Sequence, residues 1–118
     1  MGVAQQRRYT ALRTQADFDR VFEQGRNVAG KRIVAWVGSG EWAARRLGMK
    51  VTKKTFRLAT ERNRAKRLIR ESFRLLRPSL AETPWDLVVI ARRNILAAKE
   101  PEVRKEMAWA LKKLKVKS

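Results

Sequence analysis

Between about Leu58 and Leu76 the sequence repeats with a helical period and divides into two opposed faces. At about 100° per residue, Ala65, Leu68, Ile69, Phe73, Leu75 and Leu76 share an arc of roughly 160°. Arg62, Asn63, Lys66, Arg67, Arg70, Arg74 and Arg77 take the opposite side, with Arg64 at its far edge. A helix of this kind, halted before Pro78, must find an apolar surface for one face and leaves a cationic face outside. A solvated helix face would set Glu before Lys at four-residue spacing. Here only Glu61 and Glu71 dilute the arginines, and the planar guanidinium fork suits phosphate oxygens.

Short strands supply the apolar surface. Arg32–Val37 alternates, with Ile33, Ala35 and Val37 on one face and Val34 and Trp36 on the other. Leu47–Thr52 alternates again, turning Leu47, Met49 and Val51 toward a core and Lys50 and Thr52 away. Trp85–Ala91 is apolar without alternation after Asp86, the pattern of a central strand buried on both faces. Val28–Ala29 adds a shorter strand, and Gly38–Glu41 reads as a turn. Thr14 and Asp17 form a capping box that opens a short helix carrying Phe18, Val21 and Phe22, with Gly25 placed to end it. Pro101 suits the first turn of a final helix striped by Val103, Met107, Ala110, Leu111 and Leu114. The order αββ(β)αβα predicts an α+β sandwich, a small sheet with packed helices. At 118 residues there is room for one core. The expected division is a flexible basic arm over residues 1–13 and a single domain over 14–118.

Lys and Arg number 29 against 11 Asp and Glu, a net charge of +18. Such an excess repels itself unless a polyanion neutralises it, which points to nucleic acid, with an anionic membrane surface as the competitor. A lipid-bound protein would need an apolar helix face left open, whereas a sheet is available here to cover it. No apolar run approaches the roughly 20 residues of a bilayer span, and Met1–Arg13 lacks a hydrophobic signal core, so the cytoplasm is expected. There is no cysteine and no histidine, which removes thiolate metal sites and the commonest general base. Asp17, Asp19 and Glu23 fall on one helix and Glu100, Glu102 and Glu106 on another, suited to helix starts and surfaces. No catalytic residue and no protein-held metal is expected. A structural RNA-binding protein, such as a ribosomal one, fits the charge equally well.

Four ordered segments resemble the protein subunit of bacterial ribonuclease P. RNRAKRLIRESFR (Arg62–Arg74) is similar to that family's signature, and LGMKVTKK (Leu47–Lys54) to its strand ending in Ser/Thr-Lys-Lys. ADFDRVFEQG (Ala16–Gly25) resembles its first helix and WDLVVIAR (Trp85–Arg92) its last strand; the likeness runs from about Arg8 to Leu114. The resemblance implies a left-handed β-α-β crossover, against the general rule. It implies a catalytic RNA and precursor tRNA as partners, with no obligate protein partner. It also implies removal of the 5′ leader by magnesium ions that the RNA holds. By resemblance, Arg62, Asn63, Arg64, Lys66, Arg67 and Arg70, with Lys53 and Lys54, contact the catalytic RNA. Also by resemblance, Phe18, Phe22, Val34, Trp36 and Thr52 line a cleft for the leader. From the residues alone, Phe18, Phe22 and Trp36 can serve as core or as stacking platforms, and the position of Trp36 on the face opposite Ile33 and Ala35 favours stacking. Trp36 stands where Tyr or Phe is commoner in the family, and Thr55–Glu61 falls where family members vary in length. Trp42 and Trp109 receive no role.

Overall fold

The computed structural model describes residues 10–38, 45–80 and 84–115. Five strands form one sheet in the order β1-β4-β5-β3-β2. They are β1 (Thr10–Ala11), β2 (Arg26–Ala29), β3 (Ile33–Gly38), β4 (Arg46–Lys50) and β5 (Asp86–Ala91), with helices α1 (Gln15–Gln24), α2 (Ala59–Leu76) and α3 (Glu100–Lys113). Short 3-10 turns cover Arg77–Ser79 and Arg93–Ala97. β5 lies at the centre, antiparallel to β3 and parallel to β4, and α2 makes the β4-α2-β5 crossover. Asp86, Leu87, Val88 and Val89 are all buried, as expected of a strand covered on both faces.

The alternation in β3 and β5 sorts the core into two clusters on opposite sides of the sheet. Ile33, Ala35, Val37, Leu47, Leu87, Val89 and Ala91 pack against α2 and α3. On the other side Val88 meets Leu12 and Val21, with Phe18, Phe22, Trp36 and Ile90 packed around them. Thr14 caps α1 by accepting from the Asp17 N–H, and its hydroxyl donates to the Asp17 carboxylate at 2.7 Å. Gly25 ends α1 in extended backbone, φ −85°, so no left-handed turn selects glycine here. A Cβ would instead collide with the carbonyl oxygens of Val21 and Val37.

Several boundaries and one burial differ from the sequence reading. Residues 1–9 of the expected arm lie outside the described residues, as does most of the Gly38–Glu41 turn. Thr10–Ala11, within the same expected arm, instead pairs parallel with Arg46–Leu47, and Leu12 behind it is buried. Leu75, placed on the apolar arc of α2, is 40% exposed because it lies at the arc's edge. Ser72, near the arc's centre, is buried although polar, and its hydroxyl donates to Glu100 on α3 at 3.2 Å.

Candidate nucleic-acid interface

The cationic face of α2 points away from the sheet because the opposite stripe, Ala65, Leu68, Ile69, Phe73 and Leu76, is buried. Its arginines fall into two kinds. Arg64 lies at one margin of the face, whereas Arg62, about 200° from it around the helix axis, falls between Ile69 and Phe73 on the apolar side and not opposite it. Arg62 donates to the carbonyls of Phe56 (2.9 Å) and Arg57 (3.2 Å). Arg64 donates to those of Leu96 (3.3 Å) and Ala98 (3.1 Å). Between them, Asn63, Arg67 and Arg70 are exposed and Lys66 half-buried, and none makes a side-chain hydrogen bond or ion pair among the described residues. Glu71 is turned to Arg74 at 2.7 Å, whose guanidinium hydrogen bond holds the carboxyl below its ordinary value.

Lys53 and Lys54 are exposed in the turn that leads from β4 into α2. Thr52 and Thr55 brace that turn, the Thr55 N–H donating to the Thr52 hydroxyl at 3.3 Å. Lys54 borders an open hollow of about 600 Å³ with Thr55, Arg57, Leu58, Glu61 and Arg93. Arg93 grips the Glu61 carboxylate with two bonds of 2.8 and 2.9 Å, which lowers the Glu61 pKa. Glu61 in turn reaches back to the Leu58 N–H and closes the first turn of α2. Arg57 and Arg93 extend this basic surface. Arg93 is distant in sequence from the RNR triplet, and no local spacing marks it.

The second group of expected residues lies on the α1 side of the sheet. Cross-strand register aligns Gly48, Val88, Trp36 and Asn27 in one row and Lys50, Ile90, Val34 and Ala29 in the next. Phe22 meets Trp36 edge-on at 5.2 Å and 80°, while Phe18 lies 6.4 Å from Phe22. These rings are half-buried, so each covers core and still presents an edge to solvent. Gly48 makes room for this arrangement, since a Cβ there would stand 2.8 Å from the Phe18 ring. A cleft of about 240 Å³ opens beside it, lined by Arg13, Gln15, Phe18, Met49, Lys50, Val51 and Thr52. Of the five expected cleft residues, Phe18 and Thr52 line this hollow, while Phe22, Val34 and Trp36 continue the same face across the sheet. Lys50 was not among them, yet its Nζ sits 5.4 Å from the Phe22 centroid and completes the face with a cation. Its alternation with Thr52 in the sequence is the signal that marks it.

An ion-pair chain fixes α1 over this face. Arg46 holds the fully buried Asp86 through bonds of 2.9 and 2.6 Å and reaches Asp17 of α1 at 3.1 Å. The Thr14 hydroxyl, then Arg46 and Arg20, hold the Asp17 carboxyl below its ordinary value. Among the described residues no three His, Cys, Asp or Glu side chains converge as a metal site would need.

The sequence model of the family Ribonuclease P matches residues 7–115. This chain belongs to the ribonuclease P protein family. The Exiguobacterium ribonuclease P protein component is 40% identical over 105 residues, spanning 89% of this chain and 90% of the relative. The Pseudomonas aeruginosa protein component is 38% identical over 104 residues, 87% of this chain and 76% of its own length. Among solved structures, the Staphylococcus aureus RNase P protein superposes with a TM-score of 0.78 at 30% identity, covering 94% of this chain and 99% of that one. The Thermotoga maritima RNase P protein gives 0.71 at 28% identity, over 83% and 91% of the two chains. The α+β fold of those ribonuclease P proteins is the one described above.

Proposed function

We propose that this chain is the protein subunit of ribonuclease P. In this reading it binds a catalytic RNA and the 5′ leader of precursor tRNA, and assists removal of the leader. The observation that carries it is the separation of two nucleic-acid-suited surfaces on opposite sides of one sheet. On α2, the unpartnered Asn63, Lys66, Arg67 and Arg70 meet phosphates of the catalytic RNA, joined by Lys53 and Lys54 and flanked by Arg62 and Arg64. Across the sheet, Phe18, Phe22, Val34, Trp36 and Thr52, with Lys50, take the unpaired leader, its bases against ring edges and its backbone near the cation. The RNA-binding domain takes in β1 and the buried Leu12, so it begins no later than Thr10.

The protein's part is binding and orientation; scission belongs to magnesium ions held by the RNA. The carboxylates of Asp17, Asp86, Glu61, Glu71 and Glu106 are all turned to arginines, and among the described residues no three acids converge as a ligand set for such ions. The setting is the cytoplasm, with no membrane and no obligate protein partner. Among the described residues no helix is long and apolar enough to cross a bilayer.

Reconstitution with the cognate RNA tests this reading. The protein should rescue precursor cleavage at low magnesium, and RNA-free protein should cut nothing. Trp36→Ala should weaken holoenzyme binding of leader-bearing tRNA about 5- to 150-fold, the worth of one stacked base, and leave mature tRNA unaffected. Equal losses for both tRNAs, together with a lowered melting temperature, would return Trp36 to the core and remove it from the leader path.

A further inference from the structure

Trp109 is 45% exposed, although α3 has a complete apolar stripe of its own in Val103, Met107, Ala110, Leu111 and Leu114. The helix has two flanks. Glu100 on one faces α2 through Ser72, whereas Glu106 on the other faces the β2–β3 turn, accepting from the Arg32 N–H at 2.8 Å. Trp109 stands on this second flank, away from α2, and borders a hollow of about 480 Å³ with Ala29, Gly30, Lys31 and Glu106. That volume lies in the range of small-ligand sites.

The surroundings of the indole are cationic. Lys113 Nζ lies 6.0 Å from the ring centroid, Lys31 lines the hollow, and Lys105 and Lys112 are exposed on the same helix. The carboxylates of this flank are occupied: Glu106 by Arg32 at 3.0 Å and by two backbone N–H groups, Glu102 by Arg32 at 3.6 Å. A second copy of a chain carrying +18 would be repelled, and an apolar protein partner would find lysines around the ring. An exposed indole ringed by lysines suits a nucleotide with a stackable base and a phosphate on either side.

We propose that Trp109, Lys31 and Lys113 form a further single-stranded RNA site, separate from the basic face of α2 and from the cleft beside α1. One base stacks on the indole, and Lys31 and Lys113 take the flanking phosphates. The site needs neither the catalytic RNA nor a tRNA leader, so its test stands apart from the subunit reading.

The test titrates the full-length free protein with a short fluorescent oligoadenylate and maps photocrosslinks by peptide analysis. A crosslink in α3 is expected. Trp109→Ala should weaken oligonucleotide binding at least about 5-fold, in addition to any loss from Trp36→Ala, and Trp109→Phe should recover most of it. The melting temperature should not change. Replacing Lys31 and Lys113 by Ala should reduce the salt slope of binding by about 1.4, at roughly 0.7 per single-strand phosphate contact. Repeating the titration on the protein–catalytic RNA complex separates the sources. Trp109-dependent binding that survives assigns the site to an external strand, and its loss assigns it to the catalytic RNA; either sustains the site. The proposal fails if Trp109→Ala leaves affinity unchanged. It fails too if Trp109→Phe loses as much as Ala with a lowered melting temperature, or if Trp109→Ala abolishes only a self-association seen by sedimentation.

Discussion

Arg62 and Arg64 stand two residues apart on one helix and reach in opposite directions, one to the loop before α2 and the other to the 3-10 turn after β5. Each satisfies two backbone carbonyls. A guanidinium used this way is already positioned, so its remaining N–H donors meet an incoming phosphate with little further loss of rotamer freedom. Lys66, Arg67 and Arg70 have no such anchorage and must be ordered by the phosphates they meet. The five cations therefore differ in what they contribute to the fold. Arg62→Ala and Arg64→Ala should each lower stability by about 0.5–1.5 kcal/mol as well as weakening RNA binding. Lys66→Ala, Arg67→Ala and Arg70→Ala should leave the melting temperature alone and each reduce the salt slope of binding by about 0.7–0.9. Thermal melts beside salt-dependent titrations check both halves. Equal melting temperatures across all five variants would show that the carbonyl contacts contribute nothing.

At the level of elements, periodicity made the long helix, the central strand and the final helix legible. Each buries a continuous stripe or both faces, and burial is what hydrophobic patterning encodes. β1 escaped because two exposed residues carry no period, and only its partner β4 makes Thr10–Ala11 a strand. The candidate site shows the same divide. The cations of α2 and the Val34–Trp36 face follow from local spacing, whereas Arg93, Lys50 over Phe22, and the Trp109 hollow depend on elements brought together by the fold. Glu106 shows how such contacts hold the elements. Its side chain is only 9% exposed, and it joins α3 to the β2–β3 turn by accepting from the backbone N–H groups of Arg32 and Ile33 at 2.8 and 3.0 Å. Glu106→Ala leaves both donors without that partner and should cost about 1–3 kcal/mol. Glu102→Ala removes the 3.6 Å pair with Arg32 and the 2.8 Å bond from the Lys99 N–H, both at the exposed start of α3, and should cost no more than about 1 kcal/mol. Comparable losses in denaturant unfolding would mean that burial adds nothing to the backbone bonds that Glu106 accepts.

The whole molecule carries its charge as a standing strain. With +18 on 118 residues, the clustered cations of α2 and of α3 repel within and between helices, and the fold relies on a limited set of acids to offset them. Several of those acids are committed: hydrogen bonds from Thr14, Arg93 and Arg74 depress the carboxyls of Asp17, Glu61 and Glu71 respectively. A depressed carboxyl adds stability above its unfolded pKa, near about 4, and that stability is lost as pH falls through the folded value. Protonation removes the ion pair and also adds to the positive excess, so both effects act in one direction. The free protein should therefore melt at progressively lower temperature as pH falls below about 5. Sodium chloride should have the opposite effect at neutral pH. Raising it from about 0.02 to 0.5 M shortens the screening length from roughly 20 Å to about 4 Å and weakens repulsion along α2 more than it weakens the nearly buried Arg46–Asp86 pair. The melting temperature should rise by several degrees. Glu61→Gln should reduce the acid sensitivity, because one of the depressed carboxyls no longer titrates. Circular dichroism melts across pH and salt give both slopes. A melting temperature that falls with added salt at pH 7 would mean that the ion pairs outweigh the repulsion, and that the charge excess alone does not drive this fold toward a polyanion.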